Sequence, residues 1–330
     1  MRIARFGDWS TGIVVSGDRV VDVAASLPGL AGSAPEAAAV LRPLLSGPAA
    51  ADWTPMIEAW DEARGALRLL ERRAEAGDTE VVTHPLGEVT LLPPVTSPHA
   101  TVFSAGANFA DHAATAKSII LGRTVTEDEV AAEPRQGLPP WGFIVLPRTI
   151  AAPGAPLVPP PGVTMFDYEA EVAVILRSGG RGLDPDALPV WGFTAWNDVS
   201  VRDHIFGVGP ALDRGILVWA ISKNFDGANP CGPWVVVDED YDVGDLHMVT
   251  RVNGEVRQDS TTAKMVYSFG AIAAHLSAYV TLRPGDMLVS GTPAGTAVES
   301  GLDGRYLRPG DEVEVTIADT LTLRNKVAAG

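Results

Sequence analysis

Cysteine is almost missing from this chain: Cys231 is the only one in 330 residues. A single thiol excludes an internal disulfide framework and fits a reducing, cytoplasmic compartment. Long apolar runs are missing too. No stretch approaches the roughly 20 uncharged apolar residues that a membrane helix needs. The opening residues 1–9 lack the apolar core of a secretion signal. Basic residues are scarce, 25 against 41 acidic ones, for a formal net charge of −16. Nucleic acid and anionic membranes both demand a basic face, so neither is expected as a partner. There is no P-loop, no dinucleotide-binding glycine fingerprint, no internal repeat and no heptad run.

What is abundant is punctuation, with 34 glycines and 26 prolines. Short apolar or alternating runs between them read as strands: 2–6, 12–16, 19–23, 101–104, 172–176, 190–197, 234–237, 248–252, 287–290 and 312–317. Residues 37–44, 56–74, 108–123 and 265–279 carry apolar residues near a 3.6 period and read as helices. Many strands with few helices predict a β-dominated α+β fold. The proline-rich stretch 91–98 is the expected joint, dividing a small N-terminal α+β domain, 1–95, from a larger domain, 96–330. Residues 123–140 are polar and acidic, end in Pro-Pro, and read as a mobile insertion.

The chemistry-bearing residues cluster in the larger part. Glu169 and Glu171 run directly into the apolar stretch Val172–Leu176. On a strand, residues two apart share a face, so both carboxylates point the same way. Like charges at the edge of a core repel, and a cation between them removes that cost. Two solvated glutamates on an open strand face would give the same pattern. Asp198 closes the apolar run 191–196, where a free carboxylate is unfavourable; as an alternative it caps a following helix. Together the three carboxylates make an oxygen-rich site for a hard cation, Mg²⁺ or Mn²⁺, with Ca²⁺ also compatible. His112, in the run Asn108-Phe109-Ala110-Asp111-His112, is a candidate proton shuttle. Lys223 lies between an apolar run and a Gly-Pro turn. Gly291 and Thr292 belong to a turn-rich loop, 290–295, able to offer backbone N–H groups and a hydroxyl to an anion.

The segments DYEAEVAVIL, GFTAWNDVSVRD, SKNFDGANPCGPWVV, RVNGEVRQDSTT and LRPGDMLVSGTPAG, in this order, resemble the fumarylacetoacetate hydrolase superfamily across about residues 98 to 327. The resemblance implies a mixed β-sandwich roll as catalytic domain, assembled as a homodimer, with a divalent metal on Glu169, Glu171 and Asp198. It implies that Lys223 contacts substrate, that Thr292 lines the pocket and that His112, on a helical lid, is the general base. Asn108, Phe109, Arg202 and Gly291 are the further residues expected around the substrate.

Three positions depart from the family pattern. Thr115 stands where relatives carry the glutamate of a His-x-x-Glu pair, and the acidic residues Glu127, Asp128, Glu129 and Glu133 are the candidates to replace it. Leu146 stands for a lysine, with Arg148 as the nearby substitute. Ile205 stands for a glutamine. The implied activity is metal-dependent hydrolysis of a C–C bond in an acylpyruvate-like or other 1,3-dicarbonyl substrate, through a metal-bound enolate. Decarboxylation, tautomerisation or dehydration of a small oxo acid is the alternative. A non-catalytic metal- or ligand-binding member of the fold is the second alternative.

Overall fold

Strand Ala170–Leu176 is buried along its whole length, and its alternation divides the molecule. Ala173 and Ile175 join one core cluster; Val172, Val174 and Leu176 join another on the opposite face. A strand buried on both faces reads as continuous apolar sequence, as this one does. In the computed structural model the described residues are all except 46–50, 95, 96, 98, 209–216, 238 and 239.

The strand lies inside a 12-stranded sheet. The hydrogen-bonded path runs Thr83–Pro85, Arg19–Asp22, Ser10–Val15, Arg2–Phe6, Asn229–Val237, Val190–Asn197, Ala170–Leu176, Met287–Val289, Val102–Ala105 and Gly142–Val145. Leu91–Leu92 pairs with Arg2–Phe6, and Ile150–Ala151 with Asn229–Val237. The helices Val23–Ser33, Pro35–Leu45 and Trp60–Glu75 contribute Leu27, Leu30, Leu41, Leu67 and Leu70 to the core on one face. The opposite face is covered by helix Phe269–Ser277 and a four-stranded sheet of Glu255–Thr261, His247–Val252, Glu312–Ile317 and Leu321–Lys326. The fold is strand-rich α+β, as expected from the sequence.

Differences are local. The helix expected over 56–74 is broken at Ala59, which ends Thr54–Glu58 and precedes Trp60–Glu75. The helix expected over 265–279 begins only at Phe269, because the Ser268 side chain accepts from the Ala271 N–H and fixes the start there. Helix Val23–Ser33 tolerates Pro28 and was not expected. Residues 123–140 carry a short helix, Glu127–Ala131, whose Val130 is buried with Ala113 and Ala114.

The joint placed at residues 95 and 96 lies outside the described residues. Strands from either side of it share one sheet: Arg2 stands opposite Val236 and Ile3 opposite Val235. The N-terminal ammonium donates to the Val237 carbonyl at 3.0 Å. No helix among the described residues is long and apolar enough to cross a membrane.

Candidate active site

Strand register assembles the acidic cluster. Ala170 stands opposite Asn197 in the antiparallel pair, so the residue before one and the residue after the other become neighbours. Those residues are Glu169 and Asp198, and the Asp198 N–H donates to the Glu169 carbonyl at 3.0 Å. Glu171 lies one step inside the strand. Carboxylate oxygens of Glu169, Glu171 and Asp198 fall within 4.8 Å of one another, and all three residues are buried. Asp198 caps no helix: the next segment, Ser200–Val201, is a short strand, and the helix Asp203–Phe206 follows Arg202.

Electrostatics make this cluster costly as it stands. Burial pushes the Glu171 carboxyl well up, and repulsion from Asp198 and Glu169 adds to it. Burial and the Glu169 charge likewise raise Asp198, to about 7, against the pull of Lys223. Glu169 moves the other way: burial opposes ionisation, but Arg202 and Lys223 outweigh it and hold the carboxyl low. Lys223 Nζ donates to Glu169 Oε2 at 2.7 Å and to Asp198 Oδ2 at 2.6 Å. Arg202 bonds both Glu169 and Asp167, the latter at 3.1 Å. Asp198 Oδ1 remains buried with no hydrogen-bond partner among the described residues. An orphaned carboxylate oxygen beside two other carboxylates fits a hard divalent cation.

The loop after strand Met287–Val289 closes over Glu171. Gly291 N–H donates to Glu171 Oε2 at 3.0 Å. Gly291 has φ +78°, and a Cβ there would lie 3.0 Å from both the Ala105 carbonyl and Asn108 Cβ, so glycine is required. The Thr292 hydroxyl donates to the Ala170 carbonyl at 2.9 Å and accepts from Gln258 Nε2 at 2.8 Å. Gln258 Oε1 in turn accepts from the Ala170 N–H at 2.9 Å and from Thr250 at 2.7 Å. This buried amide therefore ties the smaller sheet to the strand carrying Glu171.

His112 sits on helix Ala110–Leu121, and its Nδ1 meets Glu299 Oε1 at 2.7 Å. Glu299 also accepts from the Gly295 N–H at 3.0 Å and the Thr296 hydroxyl at 3.1 Å. Burial raises this carboxyl, yet the bond and charge of His112 outweigh burial and hold it below its ordinary range. The segment carrying Glu299 is anchored by Asp167, which accepts from the Ala297 and Val298 N–H groups at 2.8 and 3.1 Å. Asp167 thus joins the Arg202 side of the acidic cluster to the histidine's partner.

The carboxylate expected for His112 from residues 127–133 comes instead from residue 299. Glu133 pairs with Lys117, and Glu129 with Arg123 at 3.1 Å. One sequence signal did mark Glu299: Thr296-Ala-Val-Glu299 has the Thr-x-x-Glu spacing of a helix start, where the glutamate turns back on the preceding loop. Its meeting with a histidine 187 residues away is tertiary.

A cavity of about 530 Å³ opens on the cluster and is lined by His112, Glu169, Glu171, Asp198, Arg202, Lys223 and Thr292 among others. Asn108 does not line it: its side chain holds the Tyr267 backbone and the Ser290 carbonyl, at 2.8–3.0 Å. Phe109 is fully buried in the core, Gly291 acts through its backbone, and Arg148 is exposed outside the cavity wall. Phe143 lines the cavity instead, with its ring 5.6 Å from Lys223 Nζ.

Comparison with known proteins places this geometry. Residues 101–328 match the fumarylacetoacetate (FAA) hydrolase C-terminal family model. Over 275 residues the chain is 34% identical to the bovine mitochondrial oxaloacetate tautomerase FAHD2A, covering 82% of this chain and 79% of that protein. The structure of 2-hydroxyhepta-2,4-diene-1,7-dioate isomerase from Mycobacterium marinum is similar at 28% identity and a TM-score of 0.57, covering 75% of this chain and 81% of that one. Maleylpyruvate hydrolase from Sphingobium, solved with manganese(II) and pyruvate, shares the fold over the full length of both chains at 23% identity and a TM-score of 0.69. Sequence match, fold and the buried acidic cluster agree that the chain belongs to the fumarylacetoacetate hydrolase family.

Proposed function

We propose that this chain is a divalent-cation-dependent hydrolase that cleaves the C–C bond between the carbonyls of a 2,4-dioxo acid. The observation that carries the reading is that His112, which lines the same cavity as the three buried carboxylates, is backed from outside that cavity by Glu299 at 2.7 Å. Mg²⁺ or Mn²⁺ held by Glu169, Glu171 and Asp198 would supply Lewis-acid polarisation of the substrate's 2-oxo and carboxylate oxygens.

The side chains do the rest. His112, backed by the Glu299 carboxylate, takes a proton from water. The water oxygen attacks the C4 carbonyl, the C3–C4 bond breaks, and its electron pair passes to C3 and the 2-oxo group. His112 returns its proton to C3, so a carboxylic acid and a pyruvate unit leave. Lys223 carries three N–H groups; two hold Glu169 and Asp198, and the third is free to stabilise the oxyanion developing at C4. Arg202, held by Glu169 and Asp167, keeps the Glu169 carboxylate ionised and oriented.

A second reading is proton transfer alone, keto–enol tautomerisation of a small oxo acid. It is supported by the 34% identity to an oxaloacetate tautomerase. The same histidine would then move a proton between C3 and oxygen with no water attacking. Product analysis by NMR with the Mn²⁺-loaded protein and an acylpyruvate tests both. Pyruvate and a carboxylic acid support hydrolysis. Deuterium exchange at C3 without cleavage refutes hydrolysis and supports tautomerisation. Neither outcome, with intact metal binding, refutes both. The reading includes a cytoplasmic homodimer, for which sedimentation at micromolar concentration is the check.

A further inference from the structure

A substrate longer than a 2-oxo acid head has a far end that the rest of the cavity must receive. The cavity holds about 530 Å³, well beyond the needs of a pyruvate unit. Among the described residues, each basic side chain lining it already has a carboxylate partner. Arg202 is held by Glu169 and Asp167, and Lys223 by Glu169 and Asp198. His112 is held by Glu299 and Lys117 by Glu133. Every described cation lining the cavity is thus already matched by protein carboxylate, and the remaining N–H of Lys223 is the one assigned above to the C4 oxyanion. A buried carboxylate without such a partner is costly.

The rest of the wall is apolar. Ile119, Leu138, Pro139, Trp141, Phe143 and Ile205 line it. Phe143 begins this region directly beside Lys223. Trp141 and Leu138 are 50% and 47% exposed, large apolar side chains left open at the mouth of a cavity. Their placement is built in. The Trp141 carbonyl accepts from the Gly106 N–H at 2.9 Å, and the indole lies so close that a Cβ on residue 106 would come within 2.0 Å of Trp141 Cζ3. The Tyr267 hydroxyl holds the Leu138 carbonyl at 2.8 Å. One backbone hydrogen bond, one hydrogen bond from the Tyr267 hydroxyl and the bare Gly106 backbone thus place an apolar, partly aromatic wall.

We infer that the substrate's far end is an uncharged apolar group, aromatic or branched alkyl, and that Trp141 is its specificity-determining contact. This deepens the oxo-acid reading above and rests on it. The occupant is a 2-oxo or 2,4-dioxo acid whose single carboxylate lies at the Glu169–Glu171–Asp198 end. A dicarboxylic oxo acid of the same length is disfavoured.

Competition binding tests this without depending on which reaction is catalysed. Oxalate, a mimic of the oxo-acid head alone, is titrated into the Mn²⁺-loaded protein. It is then displaced with 2,4-dioxo-4-phenylbutanoate or with oxaloacetate. The expected result is that the phenyl-tailed acid binds at least tenfold more tightly than oxaloacetate, and that Trp141→Ala reduces this preference at least threefold. Gly106→Ala, which displaces the indole from a distance, should reduce it in the same direction. Oxalate binding with a preference under tenfold overturns the tail inference and leaves the oxo-acid reading standing. A preference that survives Trp141→Ala unchanged overturns the role of Trp141. Failure of the Mn²⁺-loaded protein to bind oxalate at all overturns the oxo-acid reading itself, and the tail inference with it.

Discussion

Replacing Glu299 by glutamine keeps the size and one oxygen acceptor of the side chain but removes its charge. In the native protein that charge stands 2.7 Å from His112 Nδ1, with the two side chains 8% and 18% exposed. Unit charges about 4 Å apart interact by about 4 kcal/mol at an effective dielectric of roughly 20. Net values for hydrogen bonds to charged groups are smaller, about 1.5–3 kcal/mol, because water competes in the reference state. That amount is felt when the imidazole takes a proton, so it belongs to the transition state. At about 1.4 kcal/mol per factor of ten, Glu299→Gln should lower kcat by roughly 10- to 150-fold. Glu299 does not line the cavity, so KM should move little. The assay is initial-rate kinetics with the Mn²⁺-loaded protein, alongside a melting curve to show that the Gly295 and Thr296 contacts survive. A double variant with His112→Ala should lose no more than His112→Ala alone, since the pair acts as a unit. A kcat within threefold of wild type, or a loss confined to KM, would refute the claim that Glu299 supports the base.

Four further outcomes are expected. Thr115→Glu, which restores the family's His-x-x-Glu spacing, should raise kcat by less than twofold, because Nδ1 of His112 is already taken by Glu299; a larger gain in steady-state rate would show that the native pair is incomplete. Mn²⁺ at a hundred times its Kd should stabilise the protein by about 2.7 kcal/mol in a melting assay, and Asp198→Ala should abolish that gain; an unchanged shift would remove Asp198 from the ligand set. Metal affinity should weaken from pH 8 to pH 6: Glu171 and Asp198 have raised pKa values in the metal-free protein, so each must give up a proton to bind, and protons compete increasingly as pH falls. A flat calorimetric profile over that range would contradict this. Gln258→Ala should destabilise by about 2–4 kcal/mol in urea unfolding, because it strands the buried Ala170 N–H and Thr292 contacts; a loss under about 1 kcal/mol would mean water replaces the amide.

The acidic cluster was legible because it is local. Alternation along one strand set Glu171 beside its neighbour, and an apolar run ending in Asp198 announced a carboxylate at a buried strand end. Register then joined them, Ala170 to Asn197, and register is only weakly encoded in two such uniformly apolar strands. Glu299, Asp167 and Gln258 were not legible as site residues. Each acts through a contact with a segment distant in the chain, and a glutamate, an aspartate or a glutamine in a loop or polar strand reads as surface. Glu255–Thr261 escaped notice as a strand for the same reason, since EVRQDST buries only Gln258 and Ser260. Helix Val23–Ser33 was hidden by Pro28 and Gly29, which read as a turn. Gly29 is tolerated because its backbone packs against Glu80, where a Cβ would lie 2.6 Å from the Glu80 carbonyl.

The pairing of Arg2–Phe6 with Asn229–Val237 has a consequence for how the chain is made. Arg2–Phe6 leaves the ribosome before its partner, which follows more than two hundred residues later. At about 5–20 residues per second that interval is roughly 10–45 s. During it, Ser10–Val15 can pair with one edge of the strand and Leu91–Leu92 can shield the Arg5–Phe6 half of the other, while the Arg2–Ile3 half of that second edge waits for its partner. An open strand end of this kind is a template for wrong partners. The nascent chain is therefore most vulnerable to neighbours on the same message until Val235 and Val236 arrive to close the gap, and slowing elongation between these segments should lower soluble yield without changing the finished protein.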